Sequence, residues 1–220
     1  SRMRRVKLQW LAVAVAVILL VSGLTVWFFA AVPIPNRIRV ACVGDSITEG
    51  SLYPKDLGAL LGANYSVGNF GTGLAAVNLN SEKPYMNQTV FSTAKASLPN
   101  IIIIMLGTND AIPAYLQYLD NFNGDYKKLI GEFEALPTNP KIWLVVPPPI
   151  FNDSLGPNST ILTQQVIPRI RQVASELNLP IIDLYSPLTN HPEYFSDDGV
   201  HPTVEGSRII ATAIFEAITQ

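Results

Sequence analysis

The sequence predicts an α/β domain on a parallel sheet, preceded by one transmembrane helix, and three observations carry that prediction. Apolar runs of strand length recur at residues 38–43, 65–69, 101–106, 142–146 and 181–184. Helical patterns fall between or after them, at residues 53–61, 122–136, 161–177 and 204–218. Strands that alternate with helices are the pattern of a parallel sheet covered on both faces. The third observation is an uncharged stretch over residues 8–32, ahead of all of these.

That stretch is long enough for a helix to cross the roughly 30 Å core of a bilayer. Arg2, Arg4, Arg5 and Lys7 form a basic head over residues 1–7, and Trp10 and Trp27 lie where interfacial anchors would. Positive charge stays on the cytoplasmic side, so the N-terminus is expected inside and the rest outside the cell membrane. A cleaved signal peptide is the competing reading, with Val21-Ser22-Gly23 as a tolerable cleavage site. An apolar core of about 7 to 15 residues is usual for such peptides. The longer run favours a retained signal anchor, and either reading exports the domain. Residues 33–37, with Pro33 and Pro35, read as a short stiff linker, and residues 38–220 as the domain itself.

Within the domain, near-continuous runs such as Ile101-Ile-Ile-Ile104 fit strands buried on both faces. Pro147-Pro-Pro149 ends the fourth strand. Without the four basic residues of the head, the 15 Lys and Arg fall to 11 against 17 Asp and Glu, a formal charge of about −6. Nucleic acid is therefore an unsuitable partner. The single cysteine, Cys42, sits in the first strand and has no intrachain partner, so the core must supply stability. Asn64, Asn87, Asn152 and Asn158 begin Asn-x-Ser/Thr sequons, which permit glycosylation of an exported domain.

Chemistry is expected where strands end, because ligands of open α/β sheets bind beyond the carboxyl ends. The first strand runs directly into Gly44-Asp45-Ser46-Ile47-Thr48-Glu49-Gly50. Ser46 there is either a nucleophile or part of a helix cap. After the second strand comes Asn69-Phe-Gly71-Thr-Gly73, whose glycines let a backbone N–H approach a ligand. Its spacing is not that of a dinucleotide loop. After the third comes Gly107-Thr-Asn109-Asp110, with Asn109 as a turn former or an amide donor facing the crevice.

A hydrolytic serine needs a base titrating near neutrality, and the chain has two histidines, His191 and His201. His201 is the better base. Asp198 precedes it by three residues across Gly199, so a tight turn brings the carboxylate to Nδ1 and fixes the tautomer. His191 reads as loop. The two histidines and one cysteine make no zinc spacing, no Gly-Lys-Ser/Thr phosphate loop occurs, and no Gly-x-Ser-x-Gly elbow is present.

In this order, Gly44-Asp45-Ser46, Gly71, Gly107-Thr-Asn109-Asp110 and Asp198-x-x-His201 resemble the four blocks of the SGNH (GDSL-type) hydrolase family, over about residues 38–220. The resemblance implies a flavodoxin-like three-layer α/β/α domain with five parallel strands. It also implies a serine esterase working through an acyl-enzyme, without cofactor or metal. Ser46 would be the nucleophile, His201 the base and then the acid, and Asp198 the orienting carboxylate. The oxyanion hole would comprise the Ser46 and Gly71 N–H groups and the Asn109 side chain.

Similarity around His191-Pro-Glu-Tyr-Phe195 and Asp198-Gly-Val-His-Pro-x-x-Glu-Gly206 points to members that remove O-acetyl groups from sugars and glycans. Alternatives are a lipid acylhydrolase or lysophospholipase, an acyltransferase using the same site, and a non-catalytic glycan-binding module. Tyr85, Phe91, Tyr115, Tyr118 and Phe151 either line the substrate site or pack the core.

Overall fold

The computed structural model describes residues 37–220. The expected membrane helix at residues 8–32, the basic head and most of the linker lie outside the described residues. Among the described residues, no helix is long and apolar enough to cross a membrane.

Five strands form one parallel sheet: β1 Ile38–Gly44, β2 Tyr65–Gly71, β3 Ile101–Met105, β4 Lys141–Val146 and β5 Ile181–Asp183. Their order is β2-β1-β3-β4-β5. The chain moves one way from β1 to β2 and the other way to β3, so the crevice between the connections after β1 and β3 is the binding position for such a sheet. Register reinforces this, because Gly44 is level with Gly71 on one side and Met105 on the other. The first three strands thus release their loops at one height.

Helix α1 (Ser46–Gly50) follows β1 at once, and α2 (Tyr53–Leu61) leads back along the sheet. Next come α3 (Thr89–Ala96), α4 (Phe122–Glu134), α5 (Ile167–Glu176), α6 (Tyr185–Leu188) and the C-terminal α7 (Val204–Thr219). Helices α2 and α7 pack together. Helix α3 meets α4 through an edge-on Phe91–Phe133 pair with ring centroids 5.3 Å apart, and α4 packs on α5. Between the layers lie Val40 to Val43 of β1, Ile102 to Met105 of β3 and Leu144 to Val146 of β4, all buried.

Two of the departures from expectation have a clear local cause. Helix α3 has no counterpart among the expected helices, since Thr89, Val90 and Thr93 are β-branched residues that weaken a helical signal. It forms because Phe91 and Ala94 bury their side chains in the core. The expected helix at residues 161–177 starts from a short α-helical turn, Ser159–Ile161, passes through a π-helical stretch, Leu162–Val166, and continues as regular α-helix over Ile167–Glu176. Pro168 explains the break: it lacks an N–H and is tolerated only in the first turn of the regular helix.

Candidate functional site

The turn from β1 into α1 is built by Asp45. Its Oδ1 accepts the N–H of Ile47 at 2.9 Å and caps the helix, while its backbone carbonyl accepts the N–H of Glu49 at 2.9 Å. Ser46 is then the first residue of α1, where an N–H has no acceptor within the helix. The side chain is half-buried and opens on the carboxyl edge of the sheet.

On the far side of the crevice, the segment before α7 folds back on itself. The N–H of Ser196 donates to the carbonyl of His201 at 2.8 Å, and Gly199 takes the left-handed conformation (φ 70°) that the turn requires. Asp198 Oδ1 accepts the N–H groups of Val200 (2.8 Å) and His201 (2.9 Å), and its Oδ2 lies 2.8 Å from His201 Nδ1. His201 Nε2 in turn lies 2.9 Å from Ser46 Oγ. With the carboxylate at Nδ1, the ring proton belongs there and the Nε2 lone pair faces the serine hydroxyl. Burial pushes the Asp198 carboxyl upward. The His201 and Val200 N–H groups and the imidazole outweigh that and hold it well below the usual carboxylate range.

His191 stands apart from this line. Its Nδ1 meets Glu193 Oε1 at 2.8 Å, and its ring stacks on Tyr194 with centroids 5.1 Å apart.

Asn109 is buried where the loop leaves β3, and its Nδ2 donates to the Ala75 carbonyl at 3.0 Å. One amide hydrogen anchors the side chain, leaving the other for the crevice. The preceding turn depends on Gly107, at φ 123°, with Ile170 Cδ1 only 3.0 Å from where a Cβ would stand.

Gly71 requires a correction. Its N–H donates to Asn69 Oδ1 at 2.9 Å, so it is already committed and does not suit the expected oxyanion role. What its position demands is the absence of a side chain. A Cβ would overlap the Glu49 backbone nitrogen and come within 2.8 Å of the Asp45 carbonyl. Asn69 completes the join by donating from Nδ2 to the carbonyls of Thr48 (2.8 Å) and Glu49 (3.2 Å).

Beyond Gly71 the chain makes a turn over residues 72–75, closed by the Ala75 N–H on the Thr72 carbonyl at 3.2 Å. Gly73 donates its N–H to Glu49 Oε2 at 2.6 Å, and a Cβ on it would lie 3.9 Å from Ser46 Cβ. Leu74, next in the turn, has φ 63° and is 64% exposed. A left-handed leucine costs roughly 1–2 kcal/mol, and such strain gathers at functional sites. Among the described residues, no acceptor meets the Leu74 N–H. Nothing in the sequence signals this turn, because leucine resists positive φ.

Of the aromatic residues that either line the site or pack the core, Tyr85, Phe91 and Tyr115 are buried in the protein. Tyr85 donates its hydroxyl to the Phe70 carbonyl at 2.6 Å, and Phe151 packs on Phe195. The cleft beside the serine, about 230 Å³, is lined instead by Ser46, Glu49, Gly50, Ser51, His201 and Pro202.

Two carboxyls lie buried close to this site. Burial raises Asp45 to about 7 against the opposing Ile47 N–H, with the charge of Asp110 adding to the rise and His201 lowering it. Burial likewise raises Asp110 to about 6, although it accepts the N–H groups of Val77 and Asn78, each at 2.9 Å. Unfolded, both ionise near the ordinary value of about 4. Between that value and the raised ones the folded state binds more protons, so stability falls as pH rises through this window. The depressed Asp198 acts oppositely, and only at more acid pH. Thermal melts should show Tm falling by several degrees from about pH 5 to pH 8. Asp45→Asn, which keeps a capping oxygen, should flatten that slope. A wild-type Tm that climbs across the range would refute this account of the buried acids.

With this geometry in place, the sequence matches the GDSL-like lipase/acylhydrolase family over residues 42–209. The chain belongs to that family. It is also 34% identical, over 215 residues, to an acetylxylan esterase of Xylanibacter ruminicola, an alignment covering 86% of this chain and 45% of that protein. The chain thus spans about half the length of that relative. Among solved structures, the fold of this GDSL-like chain is similar to an aryl esterase of M. smegmatis (TM-score 0.64, 21% identity, 82% of this chain and 98% of that one). It is similar as well to a carbohydrate acetylesterase from Sinorhizobium meliloti (TM-score 0.66, 18% identity, 84% and 99%).

Proposed function

We propose that this GDSL-family chain is a serine esterase that removes short acyl groups, acetyl in particular, from the hydroxyls of sugars or glycans. The observation that carries the reading is the unbroken line Asp198–His201–Ser46, with contacts of 2.8 Å and 2.9 Å. The likeness to an acetylxylan esterase supports the choice of acyl group and alcohol.

Ser46 Oγ attacks the ester carbonyl carbon while its proton passes to His201 Nε2. The tetrahedral intermediate collapses as the carbon–oxygen bond to the alcohol breaks, and His201 returns the proton to the departing oxygen. Water then gives a proton to His201 and attacks the acyl-enzyme, releasing the acid and restoring Ser46. Asp198, ionised throughout the neutral range, balances the imidazolium formed in each half.

The negative charge on the carbonyl oxygen falls to the Ser46 N–H, the second amide hydrogen of Asn109 and, in place of Gly71, the Leu74 N–H, which meets no acceptor among the described residues. Preorganised donors of this kind contribute on the order of 3 kcal/mol each. Asn109→Ala is expected to lower kcat by roughly 10²- to 10³-fold with a smaller effect on KM. Steady-state kinetics that leave kcat intact would reduce Asn109 to a turn residue.

The reading is tested by following acid release from p-nitrophenyl acetate and acetylated xylo-oligosaccharides, with long-chain lipid esters assayed alongside. Release from neither substrate rejects it. Release only from long-chain lipid esters transfers the site to the lipid acylhydrolase alternative.

We also propose that residues 8–32 hold the protein in the membrane with the domain outside. The charge pattern supports this, since a basic head before an uncharged run inserts with its N-terminus inside. The protein should stay with membranes after carbonate washing and be cut by protease added from outside. A released form lacking the segment would make it a cleaved signal peptide, and a domain protected from external protease would reverse the topology.

A further inference from the structure

We infer that Glu49 makes the cleft beside Ser46 select esters whose alcohol part is uncharged over those whose alcohol part carries a carboxylate. The inference rests on the esterase reading and narrows its substrate class. Glu49 projects from the exposed side of α1 and lines the cleft together with Ser46 and His201. One of its oxygens is engaged by the Gly73 N–H at 2.6 Å, which fixes the side chain over the cleft. Among the described residues no cation pairs with it. His201, the other ionisable group in the cleft wall, is already directed at Asp198. An anionic alcohol group entering there meets an unbalanced negative charge, whereas sugar hydroxyls find a hydrogen-bond acceptor.

In a cleft this open the effective dielectric is high, and two charges some 7 Å apart translate to about a 3- to 10-fold handicap. That handicap must shrink with salt. The same carboxylate also steadies the turn that carries the Leu74 N–H, so charge and positioning have to be separated. Glu49→Gln separates them, because the amide oxygen still accepts from Gly73 while the charge is gone.

The test compares kcat/KM for a neutral O-acetylated methyl glycoside and the matching uronate, in low and high salt, for wild type, Glu49→Gln and Glu49→Ala. Wild type should favour the neutral ester about 5-fold in low salt and less in high salt. Glu49→Gln should erase the preference. Glu49→Ala should erase it too and lower kcat on both esters, since the turn loses its tie. Equal kcat/KM in the wild type, or a preference that survives Glu49→Gln, overturns the inference while leaving the esterase reading intact. Hydrolysis of neither ester by the wild type removes both.

Discussion

Ser46→Ala is expected to lower ester hydrolysis by roughly 10⁴-fold or more while the Tm stays within a degree or two of wild type. The size of the effect follows from the mechanism: without Oγ no acyl-enzyme forms, and only oxyanion stabilisation and binding remain. The fold should be indifferent. Ser46 is half-buried, its hydroxyl bonds only to His201 among the described residues, and Asp45 keeps its cap on Ile47. Paired measurements of turnover and thermal unfolding check both halves. Near-normal turnover in this variant would remove Ser46 as the nucleophile.

His201→Ala should be nearly as severe, because the serine then has no base within hydrogen-bond reach. The turn itself should persist, since the bonds from Val200 and His201 N–H to Asp198 and from Ser196 N–H to the His201 carbonyl use no atom of the His201 side chain. His191→Ala serves as the control and should be close to silent, as its partners are Glu193 and Tyr194. Kinetics of the two variants side by side decide the assignment. A severe His191→Ala with a mild His201→Ala would move the base and leave Asp198 without a role.

The sheet was legible because its central strands are runs of apolar and β-branched residues, Ile101 to Ile104 above all, that suit strands buried on both faces. Asp198 and His201 were legible for a different reason: with two histidines in the chain, one of them three residues after an aspartate across a glycine, few arrangements remain. Gly71 shows how a correct residue acquires the wrong task. The signal was present, since an asparagine two residues before a glycine commonly accepts its N–H, and Asn69 does so here. Leu74 carries no such signal, because a leucine, unlike glycine or asparagine, gives no hint of the positive φ it adopts here. Helix α3 was hidden because its β-branched residues argue against a helix that long-range burial of Phe91 and Ala94 nevertheless stabilises.

An acyl-enzyme mechanism requires that Ser46 carry the acyl group during turnover. The direct measurement is an acid quench of the protein mixed with excess p-nitrophenyl acetate in the first turnovers, followed by digestion and mass spectrometry of the peptides. One acetyl group on the peptide containing Ser46, absent from Asn109-containing and His191-containing peptides and lost in Ser46→Ala, is the expected result. Continued hydrolysis with no acetyl on Ser46, or with acetyl on another side chain, would exclude Ser46 as the nucleophile.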